Sequence, residues 1–275
     1  MNPVVSRIIG WHKKTEKQQA LVKYRVNSLI ASLISLWPVR LWSLLSYFKS
    51  DKHLTGQHQY GFTYDELFRP FKYRRLKLLE IGIGGFGVFV GGNSLLAWKA
   101  FFPFGSIIGC DINPNSELTH VRTKIYQIDQ SSGDQLTALQ RDEGPFDIII
   151  DDGSHLSAHQ IFTFEHMLDT VKDGGFYIVE DVQTSYWPME LFETQWDGAH
   201  VDDPNFSRTC VGYFTDLAKY LNHAEFAKLD NLSPKFLFLA KKIRRITFEH
   251  NMIIILKCPN VEPSNSVRRR IVKEP

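Results

Sequence analysis

The chain has 275 residues, of which 43% are hydrophobic and 23% are charged. Such a chain buries a substantial core, so disordered and collagen-like classes are excluded. The near balance of 32 Lys and Arg against 30 Asp and Glu argues against a dedicated nucleic-acid-binding protein. The charge is uneven, however: residues 1–50 hold eight basic and one acidic side chain (+7), residues 51–240 hold 15 and 26 (−11), and residues 241–275 hold nine and three (+6).

Cysteine usage indicates a reducing compartment. Cys110, Cys210 and Cys258 are isolated, without CxxC or disulfide spacing. No secretory signal pattern is recognised, and the uncharged run 26–39 has 14 residues, too few to span a bilayer. The expected localisation is cytoplasmic.

Residues 26–48 repeat apolar side chains with the spacing of an amphipathic helix. Pro38 is expected to split this stretch into two helices, because proline lacks the backbone donor that a helix interior needs. The favoured interpretation is a helical pair that packs on the main domain or on another subunit. The alternative is peripheral contact with a membrane surface, since basic residues flank the stretch. The predicted organisation is a basic helical appendage (1–50), a main domain (51–262) and a polar basic tail (263–275).

From residue 76 onward, short apolar runs bounded by Gly, Pro or Asp alternate with helical stretches. This alternation is typical of an α/β fold whose mostly parallel sheet is covered by helices on both faces. The predicted strands are 76–83, 106–112, 124–129, 146–153 and 175–182, and the predicted helices between them are 94–102, 132–141 and 157–171. Another helix is predicted after residue 205, and the runs 244–250 and 252–258 predict an antiparallel hairpin at the sheet edge.

Glycines follow the first predicted strand in the order Gly82-Ile-Gly84-Gly85-Phe86-Gly87, which satisfies GxGxxG. Glycines permit a tight turn and close approach of the backbone to a ligand. A dinucleotide-binding protein would start a helix at once to meet a pyrophosphate, yet VFVGGN intervenes before Ser94, the predicted helix cap. Glu80 would repel a phosphate but suits a ligand that carries a cation and hydroxyls, as S-adenosylmethionine does. The alternative is a structural glycine turn with Glu80 as a solvated or capping acid.

Two further polar positions follow the next strands. Asp111 ends the second strand, where an acid binds ribose hydroxyls in doubly wound folds; alternatively, it forms a turn before Asn113. Asp129 and Gln130 follow the third strand, at the expected adenine edge. Together with Glu80, these residues predict one adenosine-shaped ligand at the carboxyl ends of successive strands.

The densest cluster of acids comprises Asp151 and Asp152 after the fourth strand and Glu180 and Asp181 after the fifth. Carboxylates held together repel one another unless a cation is present, and oxygen ligands favour Mg²⁺ or a similar ion. His155 is placed to act beside the metal as a base. A capping box is predicted at 157–160, so part of this loop starts a helix. Zinc is not favoured, because HLSAH lacks the glutamate of HExxH.

Long motifs in this sequence resemble the macrocin O-methyltransferase-like family. They are residues 50–68, Gly91 to Leu95, Trp98, FDIIIDDGSH (146–155), GGFYIVEDVQTSYWP (174–188), LNHAEF (221–226) and FEHNMIIILK (248–257). The resemblance implies a Rossmann-like class I methyltransferase domain at 51–262, with a seven-stranded sheet that includes the terminal hairpin. Residues 189–206 depart from the family's glycine-rich pattern.

The resemblance also implies an activity and a set of roles. Family members methylate sugar hydroxyls of natural products with S-adenosylmethionine and Mg²⁺. The metal ligands would be Asp152, Glu180 and Asp181, and His155 would be the general base. Tyr186 and Trp187 are predicted to form an aromatic wall for the sugar, although packing is an equal role for Trp187.

Three alternatives stay open at this point. Catechol-type O-methyltransferases share the fold and an acidic metal site, but usually carry Lys where this sequence has His155. A nicotinamide-dependent sugar dehydrogenase would fit GxGxxG but gives no reason for the Glu180-Asp181 pair. A membrane-associated binding protein would use the basic ends.

Overall fold

The computed structural model describes residues 3–53, 57–85, 90–113, 115–188, 196–226 and 232–264, with side chains from residue 15 onward. The helices are α1 (Pro3–Ile34), α2 (Leu41–Tyr47), α3 (Tyr60–Phe68), α4 (Asn93–Phe101), α5 (Gly133–Glu143), α6 (Ser157–Met167), α7 (Cys210–Lys219) and α8 (Pro234–Ala240). The strands are β1 (Lys77–Ile81), β2 (Ser106–Asp111), β3 (Thr123–Gln127), β4 (Phe146–Asp151), β5 (Val171–Glu180), β6 (Ile243–Glu249) and β7 (Met252–Lys257).

The strands form one mixed sheet in the order β3-β2-β1-β4-β5-β7-β6. The pairs β1–β2, β2–β3 and β4–β5 are parallel, and β7 pairs antiparallel with both β5 and β6. In β2 and β4 most residues are buried in succession, which is the burial pattern of strands covered on both faces. In β6 most residues are at least partly exposed, as befits an edge strand. The predicted α/β class and the C-terminal hairpin are confirmed.

The chain divides into two compact units, residues 1–135 and 136–275. The first contains β1, β2 and β3, which pair in parallel register, together with α1 to α4. The second contains β4, β5 and the β6–β7 hairpin, together with α6, α7 and α8. The predicted boundaries at residues 50 and 262 stay predictions.

The N-terminal stretch forms two helices, as Pro38 predicted, with α1 ending at Ile34 and α2 beginning at Leu41. One face of α1 packs on α4, and it buries Tyr24, Ser28 and Ala31. A second face exposes four apolar side chains at 50–76% of their area, Val22, Val26, Leu29 and Leu33. Packing on the main domain therefore accounts for one face, while membrane contact and association with another subunit stay predictions.

No helix in the described ranges combines the length and the apolarity needed to cross a membrane.

Two predicted helix caps were wrong. Helix α4 begins at Asn93 behind Gly92, and Ser94 does not cap it, because the Ser94 hydroxyl donates to Glu80 instead. The capping box at 157–160 is likewise absent: Leu156 holds the cap position and makes no side-chain bond. The N–H groups of Ser157 and Ala158 are bound by the carboxylate of Asp197, at 2.7 and 2.8 Å.

The predicted helix 157–171 is too long and the fifth strand starts earlier than predicted. Helix α6 ends at Met167, a short 3-10 helix follows (Leu168–Thr170), and β5 begins at Val171. Val171 already pairs with Phe146, and a register shift follows before Phe176 pairs with Ile148. The Asp-Gly-Gly sequence that suggests a turn is accommodated inside the strand, with Gly174 at φ +81°.

Candidate functional site

A glycine segment (residues 82–85 and 90–92) lies at the carboxyl end of β1. Gly82, Gly84 and Gly85 have φ of 81°, 68° and 102°, values that other residues rarely adopt. A side chain on Gly91 would place its Cβ 2.5 Å from the carbonyl oxygen of Gly84, so the two halves of the segment touch backbone to backbone. Phe86 and Gly87, the rest of the GxGxxG pattern, lie outside the described residues.

Asp111, predicted to bind ribose, holds the glycine segment. Its Oδ2 accepts from the backbone N–H groups of Ile83 (3.0 Å) and Gly84 (3.1 Å). Its Oδ1 accepts from the backbone and side-chain N–H groups of Asn113, at 2.9 and 3.0 Å. The turn-forming role is therefore present, and the ribose role stays a prediction. Asn115, which the sequence reading did not select, also fixes the segment by donating to the Gly84 carbonyl at 2.9 Å.

Glu80 is fully buried at the centre of a polar cluster. Its Oε2 accepts from the Ser94 hydroxyl (2.8 Å) and the Trp98 indole N–H (2.9 Å). Its Oε1 lies 3.3 Å from the ammonium of Lys52, which is also buried. Burial raises the pKa of the Glu80 carboxyl, against the opposing effect of Lys52 and the two donors. Neither a solvated acid nor a helix cap describes it, and contact with a cofactor stays a prediction.

The N-terminal helix reaches the same region of the first unit. Tyr24 of α1 is buried beside Gly92, where an added Cβ would lie 3.2 Å from its ring. Burial, and then the charge of Glu80, raise the pKa of the Tyr24 phenol. The ammonium of buried Lys99 also donates a hydrogen bond to the Ser28 hydroxyl of α1, at 2.7 Å.

The remaining predicted cofactor residues follow β3. The Oδ1 of Asp129 accepts from the backbone N–H of Ser131 (2.9 Å) and from its hydroxyl (2.6 Å). Gln130 is buried, with 7% of its area exposed. Their contact with adenine stays a prediction.

The second unit brings three candidate metal ligands together. One ligand atom from each of Asp152, His155 and Asp181 lies within 4.8 Å of the others, and each residue is partly exposed. The Nε2 of His155 is 3.7 Å from Oδ2 of Asp181. All three were predicted from the sequence as site residues, with Asp152 and Asp181 as metal ligands and His155 as the general base.

Glu180, the third predicted metal ligand, lies outside this three-residue group. It is 1% exposed, and its backbone carbonyl accepts from the side-chain amide of Gln160 at 2.9 Å. Asp151 is fully buried and accepts from the Tyr177 hydroxyl at 3.0 Å. Of the four acids that the sequence places after the two strands, Asp152 and Asp181 are the ones that join His155.

Two of the three ligand residues have left-handed backbones. His155 has φ +57° and Asp181 has φ +55°, which costs a non-glycine residue about 1–2 kcal/mol. Strained residues of this kind persist where the surroundings hold them, and they cluster at functional sites. Here the Thr184 hydroxyl contacts both backbones: its Oγ1 lies 2.6 Å from the carbonyl oxygen of His155 and 3.3 Å from that of Asp181.

The residues around this group have defined partners. Ser154 Oγ lies 2.9 Å from Nδ1 of His159, which places His159 in the support of the loop rather than among the candidate ligands. The ring of Tyr186 is 47% exposed and lies 5.3 Å from the ring of Phe206. The ring of Trp187 packs edge-on against Trp196 at 5.8 Å. Trp187 thus has the packing role, and a sugar-binding role for either aromatic stays a prediction.

Comparisons with known proteins identify the family. Residues 79–182 match a model of a methyltransferase domain. Mycinamicin VI 2''-O-methyltransferase of Micromonospora griseorubida is 36% identical over 200 residues, which is 72% of this chain and 48% of that protein. The 8-demethyl-8-alpha-L-rhamnosyl tetracenomycin-C 2'-O-methyltransferase of Streptomyces olivaceus is 41% identical over 172 residues, 62% of this chain and 43% of that protein. The resemblance of this chain to the macrocin O-methyltransferase-like family is confirmed.

A solved structure of this family gives the same fold. The MycE methyltransferase of the mycinamycin pathway, in complex with Mg, S-adenosylhomocysteine and mycinamycin VI, is similar with a TM-score of 0.73 and 34% identity. The match covers 82% of this chain and 55% of that one. The predicted class I methyltransferase fold is confirmed. The chain spans about half the length of the curated relatives it matches.

Proposed function

We propose that this chain transfers the methyl group of S-adenosylmethionine to a hydroxyl of a sugar, on a glycan or a glycosylated metabolite, with a divalent cation such as Mg²⁺. The observation that carries the proposal is the convergence of Asp152, His155 and Asp181. Its support comes from relatives whose names state sugar O-methylation and from the MycE complex with Mg and S-adenosylhomocysteine.

The donor set of the second unit fits a divalent cation. Two carboxylates and an imidazole have ligand atoms within 4.8 Å of one another, and a positive charge shared among them would offset the repulsion between the two carboxylates. Carboxylate oxygens are the ligands that Mg²⁺ prefers, and it usually keeps only one or two of them from the protein. Asp152 and Asp181 would hold the ion, and we include Glu180 as a third ligand on the family pattern. When bound, the ion supplies a charge that lowers the pKa of a coordinated hydroxyl.

His155 is the proposed general base. A sugar hydroxyl is a poor nucleophile until its proton is accepted, and the Nε2 of His155 would accept that proton. The Nε2 of His155 lies 3.7 Å from Oδ2 of Asp181, so the imidazole is held beside the proposed ligand set. The sugar oxygen forms a bond to the methyl carbon while the bond from that carbon to sulfur breaks, and S-adenosylhomocysteine leaves. The chain's other contribution is orientation of the reacting groups, which is worth up to about 7–11 kcal/mol.

The first unit is the proposed cofactor site. The residues assigned to it are Glu80, Gly82, Gly84, Ser94, Asp111, Asp129 and Gln130. The left-handed glycines support this assignment, because residues without a side chain let a ligand approach the backbone closely, and Asp111 holds the segment in this conformation. Tyr186 and Trp187 are the proposed aromatic contacts of the sugar.

The decisive experiment follows methyl transfer from radiolabelled S-adenosylmethionine to rhamnosyl and other deoxysugar glycosides, with Mg²⁺ or with EDTA. We expect His155→Ala to lower turnover about 10²–10⁴-fold, while S-adenosylmethionine binding by calorimetry is unchanged. His166→Ala, which removes a histidine at the opposite end of α6 from this loop, is the matched control and should retain activity within a few-fold. Full activity of His155→Ala would refute the base assignment, and activity that resists EDTA would remove the metal.

The same variants separate the two roles that the geometry allows His155. If His155 is the base, His155→Ala keeps its affinity for Mn²⁺, a spectroscopic substitute for Mg²⁺. If His155 is instead a metal ligand, that affinity falls together with turnover. A catechol-type acceptor is tested in the same assay by adding vicinal phenols to the acceptor panel.

A further inference from the structure

We infer that Thr184 is a positioning residue of the proposed metal site, because its single hydroxyl fixes the two backbones that carry His155 and Asp181. The inference rests on the proposed function. It names a residue outside the ligand set, one whose side chain touches only backbone carbonyls in the bonds described above.

The contacts of Thr184 are unusual in what they join. Its hydroxyl is buried, with 1% of the residue exposed, and it donates to the His155 carbonyl 29 positions earlier in the chain. The same Oγ1 lies 3.3 Å from the carbonyl of Asp181, three residues before it. A three-centre bond of this kind is common at the ends of helices, but here its two acceptors belong to the loops after β4 and β5. One proton therefore sets the relative position of both loops.

The two carbonyls belong to the two residues with left-handed backbones. A left-handed residue turns its carbonyl in a different direction from its right-handed form, so a bond to that carbonyl selects between the two conformations. The side chain on the same residue moves with the backbone, and the 3.7 Å separation of His155 Nε2 and Asp181 Oδ2 moves with it. Thr184 thus controls the geometry of two candidate ligands without contacting an ion.

The position of Thr184 is itself constrained. The segment after residue 195 packs on it so closely that a Cβ on Gly198 would lie 2.2 Å from the Thr184 carbonyl oxygen. The Trp187 N–H donates to the same oxygen at 3.1 Å. These contacts fix the backbone of Thr184, and the hydroxyl that it carries is fixed with it.

The test is a Mn²⁺ titration of the full chain, followed by the electron paramagnetic resonance signal of free Mn²⁺. Thr184→Val removes the hydroxyl and keeps the shape, and we expect it to weaken Mn²⁺ binding about 10–100-fold, the usual effect of losing a partner that orients a ligand. Thr184→Ser keeps the hydroxyl and should bind within about threefold of the unmodified chain. S-adenosylmethionine binding should be unchanged in both.

Thr163→Val is the matched control for lost stability. Thr163 is also buried and also donates to a backbone carbonyl, that of His159, at 2.8 Å. Its loss should lower the melting temperature similarly while leaving the Mn²⁺ affinity within about threefold. If Thr184→Val does not fold, Thr184→Ala takes its place in the comparison with Thr184→Ser.

The outcomes distinguish the inference from the proposed function. An affinity for Mn²⁺ that is equal in Thr184→Val and the unmodified chain overturns the inference and leaves the proposed function standing. An equal loss in Thr163→Val or in Thr184→Ser also overturns it. An unmodified chain that binds no Mn²⁺, or whose binding survives Asp152→Asn combined with Asp181→Asn, refutes the metal site and the inference with it.

Discussion

The buried ion pair of Lys52 and Glu80 permits a quantitative prediction. Lys52→Met removes the ammonium 3.3 Å from Glu80 Oε1 and leaves a carboxylate with no exposed area. Removing one partner of a buried pair typically costs about 3–5 kcal/mol. Ser94 and Trp98 still donate to the other oxygen, so we expect the lower end, about 3 kcal/mol. At roughly 2–4 °C per kcal/mol for a chain of this size, the melting temperature falls by about 6–12 °C.

The loss should depend on pH in a defined direction. A carboxyl whose pKa is raised in the folded state contributes full stability below its unfolded pKa and loses it as the pH rises through the folded pKa. Burial already raises the pKa of Glu80, and removal of Lys52 raises it further. Protonation at lower pH removes the unpaired charge, so the destabilisation of Lys52→Met should be smaller at pH 5.5 than at pH 7.5.

The assay is calorimetric or fluorescence-detected unfolding of the unmodified chain and three variants at both pH values. Lys52→Met combined with Glu80→Gln, whose amide oxygen still accepts from Ser94 and Trp98, should recover most of the lost stability. Lys219→Met, which removes an exposed lysine paired with Asp216, should change the free energy of unfolding by less than about 0.5 kcal/mol. A cost below about 1 kcal/mol for Lys52→Met, or the same cost at both pH values, would refute this reasoning.

Two further predictions concern a helix cap and a buried lysine. Asp197→Ala removes the acceptor of the first N–H groups of α6 and should lower the free energy of unfolding by about 1 kcal/mol. The control is Asp203→Ala, which removes the same charge and a single cap bond of a short 3-10 helix and should cost less in thermal unfolding. Equal losses in the two variants would contradict the cap assignment. Burial, reinforced by Arg122, lowers the pKa of Lys99 to about 8. A lysine with a lowered pKa gains folding stability as the pH rises from about 8 toward its unfolded value. Lys99→Met should therefore flatten the stability profile between pH 8 and about 10 in denaturant titrations, and an unchanged slope would contradict it.

The sheet was predictable because its strands are buried almost continuously. Apolar runs such as FDIIID mark strands covered on both faces, and their order along the chain suffices for the α/β class. The helix caps were less predictable, because the groups that bond there are remote in the sequence. Ser94 bonds to Glu80, 14 residues earlier, and Asp197 caps a helix that begins 40 residues before it. Local capping patterns contain no information about such tertiary partners.

The acids of the site were predictable as a group but not in their individual environments. Asp152 and Asp181 follow neighbouring strands, so their convergence with His155 follows from topology. Glu180 and Asp181 are adjacent in the sequence, but Glu180 is buried at the end of β5 whereas Asp181 is partly exposed. Thr184 was missed because its role depends on the backbone conformation of His155, which no residue pattern in the sequence specifies.

The left-handed backbones of His155 and Asp181 set a limit on how stable this chain can become while it keeps its chemistry. Glycine at either position would relieve the backbone without a steric penalty, and a search for thermostable variants would favour it. The same substitution would remove the imidazole or the carboxylate. Stability and the proposed function therefore compete at two specific positions. A thermostable variant that keeps the histidine and the aspartate there would indicate that these side chains are under selection for the proposed chemistry.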